Sequence, residues 1–354
     1  MKITPAEISR LDTVNLDDLV FGTTFTDHMV VCHFDGEEWG VPEVKPYGKF
    51  EIAPGAPVFH YGQALFEGMK SYKDAAGDCF LFRPEENWNR FNASATRLAM
   101  PEVPKSVFLN GLHQLVSLDK GWVQAGMGNA LYLRPFMFAN GEFISAKRAH
   151  EFTFMIVASP AGDYYKGTVK VKVEEEFSRA AKGGTGAVKA AGNYAGSFYP
   201  TKLAQEEGYT QLLWTDAATH SYLEESGTMN IMLRINDILV TPPLTGTILP
   251  GITRKSILKI ASDHGITVEE RPIAVKEMLD CLKDGSLKEL FGVGTAVTVS
   301  PISEIAYRDE NYSLSYSEDS WAPRLRKWLL ELQHNISDDP YGWRVKVEPS
   351  FESA

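Results

Sequence analysis

The stretch RAAKGGTGAVKAAGNY, residues 179–194, sets one lysine, Lys189, among glycines and alanines. Small neighbours let a flat ring approach the backbone closely. A lysine amine among apolar groups loses solvation, so its pKa falls and it can attack an aldehyde as a nucleophile. Most lysines are solvated surface charges, and this alternative stays open for Lys189 on the stretch alone. A helix-like segment from Tyr194 to Glu207 follows at once.

A second stretch, YLEESGTMNI at residues 222–231, places acidic side chains just before a Gly-Thr turn. By itself such a carboxylate could equally cap a turn or face solvent. Considered together with Lys189, it indicates a different role. A pyridine cofactor is an electron sink only while its ring nitrogen is protonated, and a buried carboxylate beside that nitrogen keeps it so.

Composition and charge exclude several classes of protein. The chain has 354 residues, 44% hydrophobic and 23% charged, which is typical of a globular protein with two domains. Its net charge of -11 argues against nucleic acid and membrane as partners. The three scattered cysteines form no CxxC pair, and no apolar run is long enough to span a bilayer. No secretory or transit pattern starts the sequence, so we expect a cytoplasmic protein.

Common catalytic motifs are missing from the sequence. There is no GxxxxGKS or GxxxxGKT phosphate loop, and the glycine-rich runs at 183–186 and 292–295 lack the full GxGxxG fingerprint. The eight histidines show no HExxH or other paired spacing, so we expect no metal. No GxSxG elbow indicates a hydrolase.

Short runs rich in Val, Phe and Thr predict strands along the chain. They lie at residues 28–34, 130–138, 151–159, 168–174, 211–215, 237–241 and 296–300. Helical spacing of apolar residues predicts helices over 106–123, 254–264 and 321–332. Because strands and helices mix without regular βαβ alternation, the predicted fold class is mixed α/β (α+β) rather than a dinucleotide-binding sheet.

A loop punctuated by Pro and Gly follows the strand that is predicted to end at Ser159. We therefore predict a small N-terminal α/β domain over 1–160, an interdomain loop over 161–167 and a larger, cofactor-binding C-terminal domain over 168–354.

The motifs around Lys189 form an ordered set. They are HYGQALFEGMK (60–70), FRPEENWNRF (82–91), LYLRP (131–135), KAAGNY (189–194), ESGTMN (225–230), LPGITR (249–254) and GVGTA (292–296). This set resembles that of branched-chain aminotransferases, which are pyridoxal 5′-phosphate (PLP) enzymes of fold-type IV. The resemblance implies a two-domain fold similar to that of D-amino acid aminotransferase.

The resemblance also implies how PLP would be held. Lys189 would carry the cofactor as a Schiff base, and Tyr194 would hydrogen-bond the phenolic oxygen of the ring. Glu225, rather than Glu224, would face the ring nitrogen, because the family's carboxylate lies five residues before the asparagine of its motif. Arg90 would bind the phosphate through two hydrogen bonds. The other implied cofactor contacts are Thr228, Asn230, Ile252, Thr253, Gly294 and Thr295.

A substrate pocket is implied in the same way. Its apolar wall would consist of Tyr61, Phe66, Tyr132 and Tyr164, which without the resemblance would be ordinary core aromatics. Thr295 and Ala296 would present amides to the α-carboxylate of the substrate. Arg134 would receive the distal carboxylate of glutamate or 2-oxoglutarate. Arg179 is either a further site residue or a surface charge.

The implied activity is reversible transfer of the amino group of L-leucine, L-isoleucine or L-valine to 2-oxoglutarate, with ping-pong kinetics. The implied partners are these amino acids and 2-oxo acids, and a second copy of the chain in a homodimer. Two rival activities within fold-type IV are a D-amino acid aminotransferase and an aminodeoxychorismate lyase. A PLP-binding protein without catalytic activity is the rival from another class.

Overall fold

The computed structural model describes residues 1–16, 18–162 and 167–348. The chain forms two compact units. The first unit comprises Met1–Tyr164, Val188–Gly192 and Glu331–Ala354, and the second comprises Tyr165–Ala187 and Asn193–Leu330. The sequence prediction assigned the segments Val188–Gly192 and Glu331–Ala354 to the C-terminal domain. Both belong with the first unit, so a division at one point of the chain does not describe these units.

The first unit is a sheet with helices packed on it. Its strands are β1 (Lys2–Ile3), β2 (His28–Phe34), β3 (Glu43–Pro46), β4 (Ala64–Phe66), β5 (Met69–Lys73), β6 (Cys79–Phe82), β7 (Ala130–Ala139) and β8 (Phe152–Ala161). The helices between them are α1 (Pro57–Tyr61), α2 (Pro84–Arg97) and α3 (Lys105–Leu118). The strands pair in the order β1-β3-β2-β8-β7-β5-β6, and β4 pairs with β7. A later strand of the chain, Arg344–Lys346, pairs with β6 and completes the sheet.

The centre of this sheet is the antiparallel pair β7 and β8, which matches ten residues from Ala130↔Ala161 to Ala139↔Phe152. Fully buried aromatic rings fill the space between the sheet and the helices: Phe91 of α2 and Phe108 of α3 lie 5.5 and 5.8 Å from Phe154 of β8. Such offset and edge-on pairs stabilise a core beyond the area that they bury.

The strand Arg344–Lys346 is antiparallel to β6, in the register Arg344↔Phe82. Backbone hydrogen bonds extend the pairing at both ends, from Arg83 to Trp343 at 2.7 Å and from Val347 to Cys79 at 2.8 Å. The Arg83 guanidinium also stacks over the Trp343 ring at 4.4 Å. The segment 343–347 is therefore an integral part of the sheet of the first unit.

The second unit is built on a second sheet. Its strands are β9 (Val169–Val173), β10 (Gln211–Thr215), β11 (Leu223–Ser226), β12 (Met229–Ile235), β13 (Ile238–Thr241), β14 (Thr267–Glu270), β15 (Leu287–Gly294), β16 (Thr298–Tyr307) and β17 (Glu310–Ser313). Its helices are α4 (Ala191–Glu206), α5 (Ile252–Asp263), α6 (Val275–Asp284) and α7 (Trp321–Gln333), of which α4 begins and α7 ends in the first unit. The strand after α7, Arg344–Lys346, is β18.

The second sheet closes on itself. Its order is β11-β10-β9-β16-β15-β12-β13-β14, and β11 also pairs with β12, so six strands form a ring. Buried aliphatic side chains such as Val171, Leu213, Ile231 and Leu290 fill its core. Because a closed sheet leaves no open edge among those six strands, the residues at their ends are held in fixed positions.

The mixed α/β class is confirmed, and several predicted elements lie where the sequence put them. β2 and β10 have the predicted bounds, and α5 and α7 lie within two residues of theirs. The run at 296–300 begins later, at Thr298, because the residues before it form a hairpin loop. The helix predicted over 106–123 ends at Leu118 and is followed by a 3-10 turn, Lys120–Trp122. Across the described part of the chain, no helix has the length and apolar character that crossing a membrane requires.

Candidate active site

The β11–β12 hairpin positions a buried carboxylate. Glu225 is 3% exposed and lies opposite Asn230 in the antiparallel register. Its Oε1 accepts hydrogen bonds from Asn230 Nδ2 at 2.8 Å and from the backbone amide of Leu249 at 3.1 Å. The turn requires Gly227, whose φ is +55° and whose missing side chain leaves room for Gln211. The hairpin therefore fixes both the place and the direction of this carboxylate.

Arg179 is the cation of this site. Its Nε lies 2.8 Å from Glu225 Oε2, as an ion pair rather than an aligned hydrogen bond. Its Nη2 donates to the carbonyl groups of Gly186, at 3.1 Å, and Thr247. The side chain is only 10% exposed, so the surface-charge alternative for Arg179 is wrong.

The start of α5 offers backbone amides to an anion. Gly251 precedes the helix in an extended conformation, and no side chain caps it. The first-turn amides of a helix have no partner within the helix, and the helix dipole favours negative charge there. Ile252 and Thr253 occupy this first turn and are buried. The predicted anion site is thus physically possible at this helix terminus.

The remaining predicted cofactor contacts of the second unit lie in two turns. Thr228 is exposed at the tip of the β11–β12 hairpin. The pairing of Asn230 with Val293 brings Gly294 next to the backbone carbonyl of Thr228. Thr295 and Ala296 are half-buried in the loop between β15 and β16. Tyr194 is half-buried in the first turns of α4.

Lys189 is half-buried and fixed through its backbone. Its amide donates to Ser94 Oγ at 3.1 Å, and its carbonyl accepts from the amide of Phe66 at 3.2 Å. The Nζ atom lies 4.7 Å from the centroid of the Phe66 ring. The amine is therefore held against an aromatic face rather than extended into solvent.

Arg90 binds a carboxylate of its own chain. Its Nε and Nη2 donate to Glu67 Oε1 and Oε2 at 2.7 and 2.8 Å, and Asn87 Nδ2 donates to Oε2 at 2.8 Å. Glu67 is fully buried. Burial raises the pKa of Glu67, but the charges and hydrogen bond of Arg90 and the charge of Lys189 outweigh it, so the pKa lies below its ordinary value.

A cavity of about 380 Å³ lies in the first unit. Its lining residues are Phe21, Gly22, Phe25, Ala64, Leu65, Phe66, Tyr132, Arg134, Phe136, Val157, Ala158, Ser159 and Ala191. The Arg134 guanidinium lies 4.5 Å from the Phe66 centroid, and its Nη2 donates to the Tyr132 hydroxyl at 3.0 Å. Three predicted substrate residues are thus brought together around an apolar space with one cation in its wall.

The motifs behind this geometry also occur in known proteins. The family model described as Amino-transferase class IV matches residues 64–305. The chain belongs to the class IV aminotransferase family. Its resemblance to branched-chain aminotransferases is confirmed by a curated relative, the branched-chain-amino-acid aminotransferase 2 of Bacillus subtilis. That relative is 42% identical over 342 residues, which cover 95% of this chain and 94% of the relative.

Solved structures show the same fold. The branched-chain aminotransferase of Thermoproteus uzoniensis with norvaline has a TM-score of 0.74 and 24% identity over 91% of this chain and all of that one. The branched-chain aminotransferase of Thermobaculum terrenum in its PLP form has a TM-score of 0.74 and 20% identity, covering 91% of this chain and 98% of that one. At such identities the likeness establishes the fold of this class IV aminotransferase.

Sequence reasoning missed residues at the cavity of this aminotransferase. Phe21 meets Tyr132 edge-on at 4.9 Å, and Phe25 also lines the space. Both belong to a segment without strand or helix periodicity, whose only signal is a pair of phenylalanines close to a glycine before the first long strand. Glu67 lies inside one of the quoted motifs. Only the fold shows that its carboxylate binds Arg90 and is close enough to Lys189 for the two charges to interact.

Two predicted pocket residues are not among those lining the cavity. Tyr61 is 45% exposed, and its hydroxyl donates to the carbonyl of Ile144. Tyr164 lies outside the described residues. Their role in substrate binding stays a prediction.

We expect Gly68→Ala to damage substrate binding by this aminotransferase. A Cβ on Gly68 would lie 2.0 Å from the Tyr132 hydroxyl, so we expect the buried Tyr132 ring to shift and to disturb the hydrogen bond that this hydroxyl accepts from Arg134. Overpacking of this kind costs about 1–3 kcal/mol of folding free energy. Steady-state kinetics should show a raised KM for both substrates. Gly48→Ala, at a site with open space, is the control and should leave KM and the denaturation midpoint unchanged.

Proposed function

We propose that this class IV aminotransferase transfers the amino group of L-leucine, L-isoleucine or L-valine to 2-oxoglutarate. The cavity carries the proposal: its phenylalanine and aliphatic walls suit a branched aliphatic side chain, and Arg134 suits the second carboxylate of glutamate or 2-oxoglutarate. The name of the Bacillus subtilis relative supports the same substrate class.

The residues present fit PLP as the cofactor. Glu225 is a buried carboxylate whose Oε1 accepts two neutral hydrogen bonds and whose Oε2 pairs with Arg179. These contacts favour its ionised form, which suits a protonated ring nitrogen. The uncapped start of α5, with Ile252 and Thr253, suits its phosphate. Arg90 is a further proposed phosphate contact, because a guanidinium can donate two hydrogen bonds to a phosphate. Lys189 offers the amine. The proposed further contacts are Tyr194, Thr228, Asn230, Gly294 and Thr295.

In this proposal each residue has a chemical task. When bound, PLP supplies an electron sink for negative charge at the α-carbon of the substrate. Lys189 takes the α-proton and returns it, as base and then acid, which is worth about 10²–10⁴-fold in rate. Glu225 keeps the ring nitrogen protonated, and Tyr194 hydrogen-bonds the phenolic oxygen. Thr295 and Ala296 orient the α-carboxylate through their amides.

We further propose a cytoplasmic homodimer with ping-pong kinetics. Because one site would serve the amino acid and the 2-oxo acid in turn, the amino group must stay on the enzyme between the two halves of the reaction.

The test is a near-visible absorption scan of the purified protein with PLP, before and after excess L-leucine without an acceptor. We expect a cofactor band that L-leucine replaces, with release of 4-methyl-2-oxopentanoate. A band that responds only to D-alanine would favour a D-amino acid aminotransferase, and pyruvate release from aminodeoxychorismate would favour the lyase. A band that no amino acid changes would indicate a non-catalytic PLP-binding protein, and no band would overturn the proposal.

A further inference from the structure

Glu224, the neighbour of Glu225 on β11, is a second buried carboxyl group. It is 6% exposed. Its Oε1 accepts a hydrogen bond from Thr247 Oγ1 at 2.5 Å, whereas its Oε2 is buried without a hydrogen-bond partner among the described residues. Burying an ionised carboxylate with one hydrogen bond is costly, so the fold itself disfavours charge at this position.

The two carboxyl groups share one cation. Arg179 pairs directly with Glu225, and its hydrogen bond to the Thr247 carbonyl places it next to the residue that binds Glu224. The charged groups that act on Glu224 are Arg179 and Asp216. Burial is the largest effect and raises the pKa of Glu224, and the charge of Asp216 raises it further. The Thr247 hydrogen bond and the charge of Arg179 lower this pKa, but the net shift is upward. Glu224 therefore tends to keep its proton, whereas Glu225 has a directly paired cation in Arg179.

The charge count gives this division a chemical meaning. With Glu224 protonated, Arg179 neutralises Glu225, and the cluster has no net charge. With both carboxyl groups ionised, the cluster has one net negative charge, which matches the single positive charge of a protonated pyridine nitrogen. Loss of the Glu224 proton would thus make the net charge of the cluster more negative by one.

We propose that Glu224 is a positioning residue whose ionisation sets, through Thr247 and Arg179, the net negative charge of the cluster that Glu225 presents to the ring nitrogen of the cofactor. This inference rests on the proposed function, since it assumes that Glu225 faces that nitrogen. It predicts that ionisation of Glu224 and cofactor protonation are linked.

The first test is the stability of the PLP-free protein. Glu224→Gln keeps the shape and removes the charge. A carboxyl whose pKa is raised by folding costs stability only above its unfolded pKa, so the variant should have the higher urea midpoint at pH 8, and the difference should shrink toward pH 5. Glu206→Gln, at an exposed glutamate of the same unit, should show no such trend. A variant less stable than wild type by the same amount at both pH values would overturn the proposal.

The second test uses the PLP-loaded protein. Because Gln at position 224 cannot ionise, Glu224→Gln removes the negative charge that Glu224 gains when it loses its proton. The pH at which the near-visible band of the cofactor titrates should therefore fall relative to wild type. Thr247→Val, which removes the donor to ionised Glu224, should shift the titration in the same direction. If wild type, Glu224→Gln and Thr247→Val all show the band and the band titrates at the same pH in each, this inference alone would be overturned. Absence of any band in wild type would overturn the proposed function and this inference together.

Discussion

Lys189→Ala is expected to reduce the transamination rate by more than about 10³-fold. The amine would both bind the cofactor and move the α-proton, and a positioned proton-transfer group alone contributes about 10²–10⁴-fold. The fold should tolerate the change, because Lys189 is held through its backbone amide and carbonyl, which alanine retains. The measurement is kcat with L-leucine and 2-oxoglutarate, together with the denaturation midpoint.

Lys182→Ala provides the matched control, since Lys182 is an exposed lysine seven residues earlier. It should retain full activity. Partial recovery of Lys189→Ala by a small amine such as methylamine would indicate that the missing group is the base itself. Near wild-type turnover in Lys189→Ala would exclude the assignment.

Glu67→Gln is expected to destabilise the protein by about 3–5 kcal/mol, because it removes the carboxylate that binds the Arg90 guanidinium through two hydrogen bonds. The ion pair is bidentate, and Arg90 is only 10% exposed, so water cannot replace the lost carboxylate. Urea denaturation at pH 7 measures the effect. Glu85→Gln makes the same change in the exposed pair with Lys105, and there we expect less than about 1 kcal/mol.

The effect of Glu67→Gln should depend on pH. Folding lowers the pKa of Glu67 below 4.5, so its contribution is complete above that value and is lost as pH falls through the folded-state pKa. The gap between wild type and variant should therefore be constant from neutral pH to about pH 5 and narrow in stronger acid. A gap that instead grew in acid would contradict the ionised state of Glu67.

The sequence was most informative where function restricts the residues locally. Lys189 was singled out because its neighbours are small, and the acidic pair at 224–225 because it precedes a Gly-Thr turn. The choice of Glu225 and the role of Asn230 came from the family resemblance, and the roles of all three at the cofactor stay predictions. The long antiparallel strands were equally accessible, since their alternating aromatic and β-branched residues reflect pairing within the sheet.

What the sequence did not reveal depends on contacts between distant segments. The partner of Arg90 is Glu67, 23 residues away, and no local pattern indicates that pair. Phe21 reaches Tyr132 across more than a hundred residues. Glu224 favours its protonated form because its carboxyl group is buried with a hydrogen bond to only one of its two oxygens among the described residues. Only the packed structure shows this.

The pairing of β18 with β6 has a consequence for how the protein is made. A ribosome delivers the chain from its first residue to its last, so most of the first unit emerges long before its final strand does. Until then β6 has an open edge, which is a template for pairing with other chains. A copy truncated before Arg344 would keep this edge of β6 open, and an open strand edge favours pairing with other chains.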